Sequence, residues 1–314
     1  MDKSAAEVKQ EKPIPVSVSK AAAAKPKART LVAAGITISN ADRVISETGH
    51  VTKGELAEYH AAVAPFMLPR ITGHPLSLLR CPTGIDGGGC FYQRSPGRGL
   101  GADVLPFKFR HKGKTYEYLY IDDAKGLLEV IQMGSIEIHP WGAPVDAIDY
   151  PDRMIFDLDP APEVPFEALK LAAIDVRQRL KQRGLESSLK CTGGKGLHVT
   201  VALAGANKWP EVKQFAGEFA EGMVAAAPQA YVATMTKSKR TGKIFVDYFR
   251  NDYTATAIAD YGVRARPGAP VAVPLSWNEL DGLKAANAFT MKDVLKRLRN
   301  HMPPAAPKGQ VLPA

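Results

Sequence analysis

The segment Met154-Ile155-Phe156-Asp157-Leu158-Asp159-Pro160 is an apolar run that carries two carboxylates two positions apart. If this run is a β-strand, Asp157 and Asp159 leave the same face, because side chains alternate with a period of two. The rise per residue places them roughly 6–7 Å apart along the strand. Unpaired like charges beside a hydrophobic strand are costly, and hard cations such as Mg²⁺ and Mn²⁺ remove that cost through oxygen ligands. The segment therefore predicts a divalent metal site.

Helices and strands alternate after this segment. The pattern predicts a helix opened by Pro165, a strand over Leu197–Leu203, a helix that buries Phe219, and a strand over Ile244–Phe249. A last basic helix is expected over Met291–His301. This order predicts an α+β fold in which helices cover a sheet.

The region before the segment contains one predicted helix and one predicted loop. Thr52-Lys53-Gly54-Glu55 matches a capping box, so a helix begins here, and Pro65 and Pro69 predict that it ends early. Residues 81–101 are crowded with glycine and predict a mobile loop.

The composition divides the chain into three parts. Residues 1–29 are rich in Ala, Lys and Pro and predict a disordered basic arm, residues 30–302 a folded domain, and residues 303–314 a flexible tail. The formal net charge is +9, of which residues 1–30 supply +4. A basic body with a basic arm suggests a polyanionic partner, although a solvated basic surface has the same composition.

The sequence also bears on the compartment. It contains no apolar run near the roughly 18–20 residues that span a bilayer, and no apolar segment of a secretory signal. The expectation is a cytoplasmic protein without a membrane partner. The three cysteines are few and odd in number, which favours reduced thiols over a disulfide scaffold. Cys81 and Cys90 lack the spacing of a zinc site.

Two further segments carry residues suited to phosphate chemistry. Asp247 lies in a second apolar strand and is either a third wall of the metal site or a surface residue of an edge strand. Three strand-borne acids would suit two-metal phosphoryl transfer. Lys190–His198 contains a GGKG sequence in which Thr192, Lys195 and exposed backbone amides form a candidate triphosphate cradle, although most glycine clusters are only turns.

Other candidate residues are less specific. The spacing around His139 favours a packed core histidine over a nucleotide ligand. Phe91 and Tyr92 are adjacent aromatics in the glycine-rich loop, which suits base stacking better than core packing. A dense basic region flanks Asp247 and is a candidate for phosphate contact, or else a solvated face; it comprises Lys237, Lys239, Arg240, Lys243, Arg250, Arg264 and Arg266.

The combination EIHPW, FDLDP, GGKGLHV, KSKRTGKIFVDYFRN and RARPGAPV resembles the polymerase domain of bacterial DNA ligase D, over about Ile38–Glu279. These are archaeo-eukaryotic primase-like enzymes of non-homologous end joining. The resemblance implies a primase-polymerase fold with an RRM-like catalytic sheet, flanking helices and a second, smaller sheet. It also implies extension of DNA 3′ ends and filling of short gaps with rNTPs or dNTPs, with terminal transferase and primase activity as further capabilities.

The resemblance assigns roles residue by residue. It implies that Asp157, Asp159 and Asp247 hold two divalent cations, Mn²⁺ or Mg²⁺, as the catalytic centre. It implies that Arg43 and Lys53 bind a DNA 5′-phosphate and that Phe91 and Tyr92 stack near the template base. The implied nucleotide-binding residues are His139, Thr192, Lys195, His198, Arg250 and Arg264.

The implied partners are DNA ends and gapped duplexes with a 5′-phosphate, a Ku-like end-binding protein and an ATP-dependent DNA ligase, at the bacterial nucleoid. Two other functions compete with this one. A haloacid-dehalogenase-like phosphatase also begins with an apolar strand and two spaced acids, but here Pro160 and Ala161 follow the second acid. A non-catalytic DNA-end-binding module would explain the basic charge but not three acids on strands.

Overall fold

The computed structural model describes residues 29–97, 100–301, 303–305 and 308–313. Among the helices of these residues, none combines the length and apolar character that a membrane crossing requires. The helices and strands in chain order are β1 (Leu31–Ala33), β2 (Ile36–Ile38), β3 (Val44–Ser46), β4 (Val51–Thr52), α1 (Lys53–Met67), β5 (Leu76–Arg80), β6 (Phe91–Gln93), β7 (Val104–His111), β8 (Lys114–Ile121), α2 (Ala124–Gln132), β9 (Ser135–Pro140), β10 (Arg153–Pro160), α3 (Phe166–Gln182), β11 (Ser188–Cys191), β12 (Leu197–Ala202), α4 (Trp209–Ala226), β13 (Tyr231–Val232), β14 (Ile244–Asp247), β15 (Val273–Leu275) and α5 (Met291–Asn300).

The strand β10 lies inside a six-stranded sheet with the order β13-β14-β10-β12-β11-β15. Its residues Met154, Phe156 and Leu158 are fully buried, and α3 and α4 pack against the strand. Asp157 and Asp159 occupy the alternate positions and leave the opposite face. The predicted strand and the shared face of the two aspartates are therefore confirmed, because one face of β10 must be apolar to pack under helices.

A second, five-stranded sheet lies N-terminal to the first along the chain. Its strands follow the order β6-β5-β8-β7, and β9 also pairs with β5. Two short ribbons, β1–β2 and β3–β4, precede it. The predicted α+β class, with a helix-covered sheet and a second, smaller sheet, is confirmed.

The helix α1 begins as predicted and ends later than predicted. The side chain of Thr52 accepts a hydrogen bond from the Glu55 amide, and Glu55 accepts one from the Thr52 amide, so the capping box is formed. Pro65 lies inside the helix, which continues to Met67. The expectation of an early end is wrong, because Val63 and Met67 are fully buried and their packing offsets the one helical hydrogen bond that the proline cannot make.

The glycine-rich segment is tied down at two places. Cys81 and Cys90 form a disulfide, so the expectation of reduced thiols is wrong for this pair, whereas Cys191 is free and buried. The pairing depends on the β5–β6 hairpin, because the connection formed by residues 81–90 brings Cys90 back beside Cys81. Within the loop, the amide of Ile85 donates to the carbonyl of Ile45 at 2.6 Å. The loop therefore packs on β3.

The structure describes little of the N-terminal arm and most of the C-terminal tail. The predicted arm, residues 1–29, lies outside the described residues except for Arg29. Within the predicted tail, Gln310 pairs with Leu203 at the end of β12, and Leu312 is 9% exposed. This part of the tail is packed against the domain.

Candidate active site

Three aspartates on neighbouring strands form the centre of the site. Asp157 and Asp159 lie on β10, and the antiparallel register of β10 with β14 places Asp247 directly opposite Asp157. Opposed residues on one face of a sheet have Cβ atoms roughly 4.5–5.5 Å apart. The strand β14 is flanked by β13 and β10, so Asp247 does not belong to an edge strand. The structure thus brings the three predicted acids together.

The three carboxylates differ in their electrostatic surroundings. Burial raises the pKa of Asp247 to about 6, with Arg250 opposing the shift and Asp157 adding to it. Burial and the charge of Asp157 raise the pKa of Asp159. Burial also acts to raise the pKa of Asp157, but His198 and Arg250 outweigh it and hold that pKa below its ordinary value. The ionised forms of Asp159 and Asp247 are therefore unfavourable in the folded chain, and a further cation beside them would stabilise their charge.

Cationic side chains surround the three aspartates. The Arg250 Nε atom lies 3.0 Å from an Asp247 oxygen and 3.7 Å from an Asp157 oxygen. The His198 Nε2 atom lies 3.3 Å from Asp157, and the Lys195 ammonium lies 4.0 Å from Asp159. The side chains of Arg250 and Lys195 are partly exposed, so both can contact a phosphate from the loops that carry them.

Asn251 stabilises the position of Arg250. Its side-chain oxygen accepts from the Ile155 amide at 2.7 Å, and its side-chain nitrogen donates to the Ile155 and Tyr248 carbonyls at 2.8 Å each. The strand β14 ends at Asp247, so the backbone of Ile155 has no strand partner on that side. Asn251 supplies the missing hydrogen bonds and is 1% exposed. It holds the chain after β14 against β10.

Replacing Asn251 with alanine is expected to lower the free energy of unfolding by about 2–3 kcal/mol, because buried backbone groups of Ile155 would lose their partners. Urea denaturation of the wild type and the variant measures the change. Asn207→Ala is a matched control, since among the described residues the Asn207 side chain makes a single hydrogen bond, which it accepts from the Leu312 amide at 3.1 Å. An equal effect of the two substitutions would contradict the role given to Asn251.

The GGKG sequence forms the tight connection between β11 and β12. Gly193 has a φ of +65°, and a Cβ atom on Gly196 would lie 2.6 Å from the Leu158 carbonyl oxygen. Glycine is therefore required at both positions. The Thr192 hydroxyl donates to the Gly196 carbonyl at 2.8 Å, which stabilises the loop. Lys195 projects from it, with its ammonium 3.1 Å from the Pro160 carbonyl.

His139 is buried and also lines a polar cavity that Asp157 and Asp159 line as well. The core and ligand interpretations therefore both describe part of its environment. Its Nε2 atom lies 2.7 Å from a carboxylate oxygen of Glu137. Arg264 donates from Nε to the other Glu137 oxygen at 3.1 Å and from Nη1 to the Thr192 carbonyl at 2.8 Å. Burial raises the pKa of Glu137, but His139 and Arg264 outweigh it and lower that pKa to about 2. Glu137 was not among the predicted site residues, although its spacing of two from His139 on one strand was a usable signal.

The two predicted stacking aromatics have different surroundings. Phe91 and Tyr92 lie on β6 and are 45% and 59% exposed. Tyr92 lines the cavity and contacts the His139 ring edge-on, with centroids 6.0 Å apart. Phe91 lies beneath the Arg80 guanidinium at 5.4 Å. Only Tyr92 is therefore placed beside the other candidate residues.

The two predicted 5′-phosphate residues lie next to each other, and neither lines the cavity that contains Asp157 and Asp159. The amide of Lys53 donates to the Arg43 carbonyl at 2.8 Å. The Lys53 ammonium donates to the Ser39 carbonyl at 3.0 Å and to a Gln132 side-chain oxygen at 2.6 Å. Burial and the charge of Arg43 lower the pKa of Lys53 to about 8.

Most of the candidate residues line one polar cavity of about 340 Å³. Asp157 and Asp159 line it directly, whereas Asp247 lies beside Asp157 and does not. Several lining residues were not predicted, because they come from distant parts of the chain and match no motif; these are Ser77, Arg94, Thr256, Ala257 and Ile258. In the predicted basic region, the lining residues are Arg250, Arg264 and Arg266.

Comparison with known proteins agrees with this geometry. The family model for the LigD primase-polymerase domain matches residues 52–305. The multifunctional non-homologous end joining protein LigD of Pseudomonas aeruginosa is 37% identical over 95% of this chain and 35% of its own length. The corresponding DNA repair protein LigD of Mycobacterium tuberculosis is 33% identical over 84% of this chain and 35% of its own length. The chain thus spans about a third of the length of these relatives.

A solved structure extends the likeness to three dimensions. The polymerase domain from Mycobacterium tuberculosis ligase D in complex with DNA superposes with a TM-score of 0.78 at 31% identity, covering 84% of this chain and 94% of that one. The predicted primase-polymerase fold is confirmed. With the family model matching most of the described residues, the chain belongs to the LigD primase-polymerase domain family.

Proposed function

We propose that this chain is a DNA-dependent nucleotidyltransferase that extends DNA 3′ ends and fills short gaps with rNTPs or dNTPs during repair of double-strand breaks by non-homologous end joining. Terminal transferase and primase activity belong to the same proposal. The observation that carries it is the cavity in which two aspartates of β10 face Lys195, Arg250 and Arg264. Family membership and the printed names of the relatives support it.

The chain's own residues have distinct roles in this proposal. Lys195, Arg250 and Arg264 bind the triphosphate, because all three bring positive charge to the lining of the cavity. His198 holds Asp157 in place through its 3.3 Å contact. Tyr92 stacks near the templated base pair at the mouth of the cavity.

Asp157, Asp159 and Asp247 are the proposed ligands of two divalent cations, Mn²⁺ or Mg²⁺. Within the described parts of the chain, no three Asp, Glu, His or Cys side chains stand close enough together to ligate one ion as they are arranged. The donor set nevertheless fits, because all three side chains supply hard oxygen ligands, and burial together with the charge of Asp157 raises the pKa of Asp159 and Asp247. When bound, such ions would stabilise charge on the triphosphate and lower the pKa of the primer 3′-hydroxyl.

The proposed partners follow from the same function. They are DNA ends and gapped duplexes with a 5′-phosphate, a Ku-like end-binding protein and an ATP-dependent DNA ligase. Arg43 and Lys53 are the proposed 5′-phosphate site, since they form an adjacent basic pair. Replacing both with alanine is expected to remove the preference for a 5′-phosphorylated gap.

The test of the function is primer extension on a gapped duplex with a 5′-phosphate, with and without Mn²⁺ or Mg²⁺, and with a phosphatase substrate assayed in parallel. Metal-dependent extension supports the proposal. Phosphate release without extension would indicate a phosphatase, and DNA binding without either activity would indicate a binding module.

The 5′-phosphate preference is also expected to depend on pH. The pKa of Lys53 is lowered to about 8, so the ammonium loses its proton as pH rises through that value. From pH 7 to pH 9 its charged fraction falls from about nine-tenths to about one-tenth, and the preference for a 5′-phosphate should fall with it. Binding of phosphorylated and unphosphorylated gapped duplexes across this range measures the effect.

Lys53→Arg is the matched variant for this titration, because arginine stays charged at pH 9. It should keep the preference constant across the range. A preference in the wild type that does not change between pH 7 and pH 9 would exclude Lys53 as the titrating contact.

A further inference from the structure

Ser77 carries a buried hydroxyl on the wall of the catalytic cavity. The residue is 1% exposed and lines the cavity beside His139. Among the described residues, its Oγ atom has no hydrogen-bond partner. A buried hydroxyl without a partner is destabilising, so native proteins rarely keep one. An orphaned hydroxyl on a residue that lines a substrate cavity indicates that the substrate supplies the missing hydrogen bond.

The neighbour of Ser77 narrows the chemistry of that substrate group. Ser77 on β5 is directly opposite His139 on β9, so both side chains leave the same face. The His139 Nε2 atom donates its proton to the ionised Glu137 carboxylate at 2.7 Å, which leaves Nδ1 as an acceptor. Ser77 can donate or accept. A hydroxyl group on the substrate satisfies both, because it donates to one partner and accepts from the other.

The identity of the hydroxyl follows from what a template-directed enzyme must tolerate. Such an enzyme accepts four bases whose edges carry different donors and acceptors, so a fixed buried pair suits a part of the nucleotide that does not vary. Phosphate is a poor match, because the negative Glu137 carboxylate lies directly behind His139. The sugar is the invariant part that carries hydroxyl groups.

We propose that Ser77 and His139 together bind a ribose hydroxyl of the incoming nucleotide, with Ser77 as a specificity-determining residue for the sugar. This inference rests on the proposed nucleotidyltransferase function. The hydroxyl is on the 2′ or the 3′ carbon, and deoxy analogues separate the two.

The experiment measures equilibrium dissociation constants of ATP, 2′-deoxyATP and 3′-deoxyATP with Mn²⁺ and without primer, for the wild type and Ser77→Ala. The variant should bind ATP about three- to tenfold more weakly, as expected for one lost hydrogen bond. It should bind one of the two deoxy analogues as the wild type does, and that analogue identifies the hydroxyl. Unchanged affinity for ATP, or an equal loss for all three nucleotides, would overturn the inference.

Ser135→Ala is the matched control. Ser135 lies on β9, is fully buried, and its Oγ atom also has no partner among the described residues, but it does not line the cavity. This variant should bind all three nucleotides as the wild type does; a loss equal to that of Ser77→Ala would assign the effect to sheet packing and overturn the inference.

Two further measurements separate the possible failures. The melting temperature of Ser77→Ala should equal or exceed that of the wild type, since the substitution removes an unsatisfied group. A wild type that binds no nucleotide would refute the proposed function itself, whereas nucleotide binding with unchanged sugar discrimination in Ser77→Ala would refute only the role of Ser77.

Discussion

Replacing Asp159 with alanine is expected to reduce primer extension by at least about a thousandfold, which corresponds to about 4 kcal/mol of transition-state stabilisation. Asp159 lies on the cavity wall, and Asp157 and Lys195 are its charged neighbours. Removing its carboxylate removes one of the three side chains that would hold the cations. Single-nucleotide incorporation into a gapped duplex, measured with Mn²⁺ and with Mg²⁺, tests the expectation.

The loss should not come from unfolding or from lost DNA binding. The pKa of Asp159 is raised by burial and by Asp157, so the charge is unfavourable in the folded chain without a cation. The variant should therefore melt at or above the wild-type temperature in a chelator, and it should still bind a 5′-phosphorylated gap. Asp146→Asn, at a carboxylate outside the cavity, is the control and should extend primers normally. Retained extension by Asp159→Ala would exclude the assigned catalytic centre.

Replacing Lys190 with methionine is expected to cost about 3–5 kcal/mol of stability, the usual effect of removing one partner of a buried ion pair. The Lys190 ammonium lies 3.0 Å from Asp260 and donates to the Ile258 carbonyl at 2.6 Å. It anchors the segment Thr256–Ile258, which lines the cavity that contains Asp157 and Asp159. A second cavity, of about 320 Å³, shares Ala257 and Ile258 with the first. Because the loss of Lys190 would free this shared segment, the Michaelis constant for the nucleotide should rise as well.

A double-mutant cycle isolates the charge effect. Lys190→Met combined with Asp260→Asn removes both charges of the pair, so it should recover part of the lost stability. Lys213→Met is the exposed control, because Lys213 pairs with Asp252 at the surface at 2.5 Å; it should change stability by less than about 1 kcal/mol. Equal losses in the single and double variants would show that Lys190 acts through packing alone.

Local patterns accounted for the centre of the site. The period of two in β10 placed Asp157 and Asp159 on one face. The apolar residues at the alternate positions predicted that the other face is buried. The capping box at Thr52 was readable for the same reason, since its partners lie within four residues. In contrast, the end of α1 depended on tertiary packing that outweighed the local preference of Pro65.

Contacts between distant residues were not readable from one sequence. The disulfide between Cys81 and Cys90 depends on a hairpin whose return the glycine-rich loop does not specify. Glu137, Ser77 and Lys190 match no motif, and their partners are defined only by how β5, β9 and β11 are arranged.

The sequence by itself determined that this protein contains a strand with two aspartates on one face, a glycine-lysine loop and a set of basic residues, because helix and strand periodicity and glycine geometry act over a few residues. Only the tertiary structure decided that Asp247 lies opposite Asp157 and that Asn251 completes the edge of β10. It also decided that Ser77 faces the same cavity as Lys195. Strand register and sheet order join residues far apart in the chain, and these are set by the packing of the whole domain.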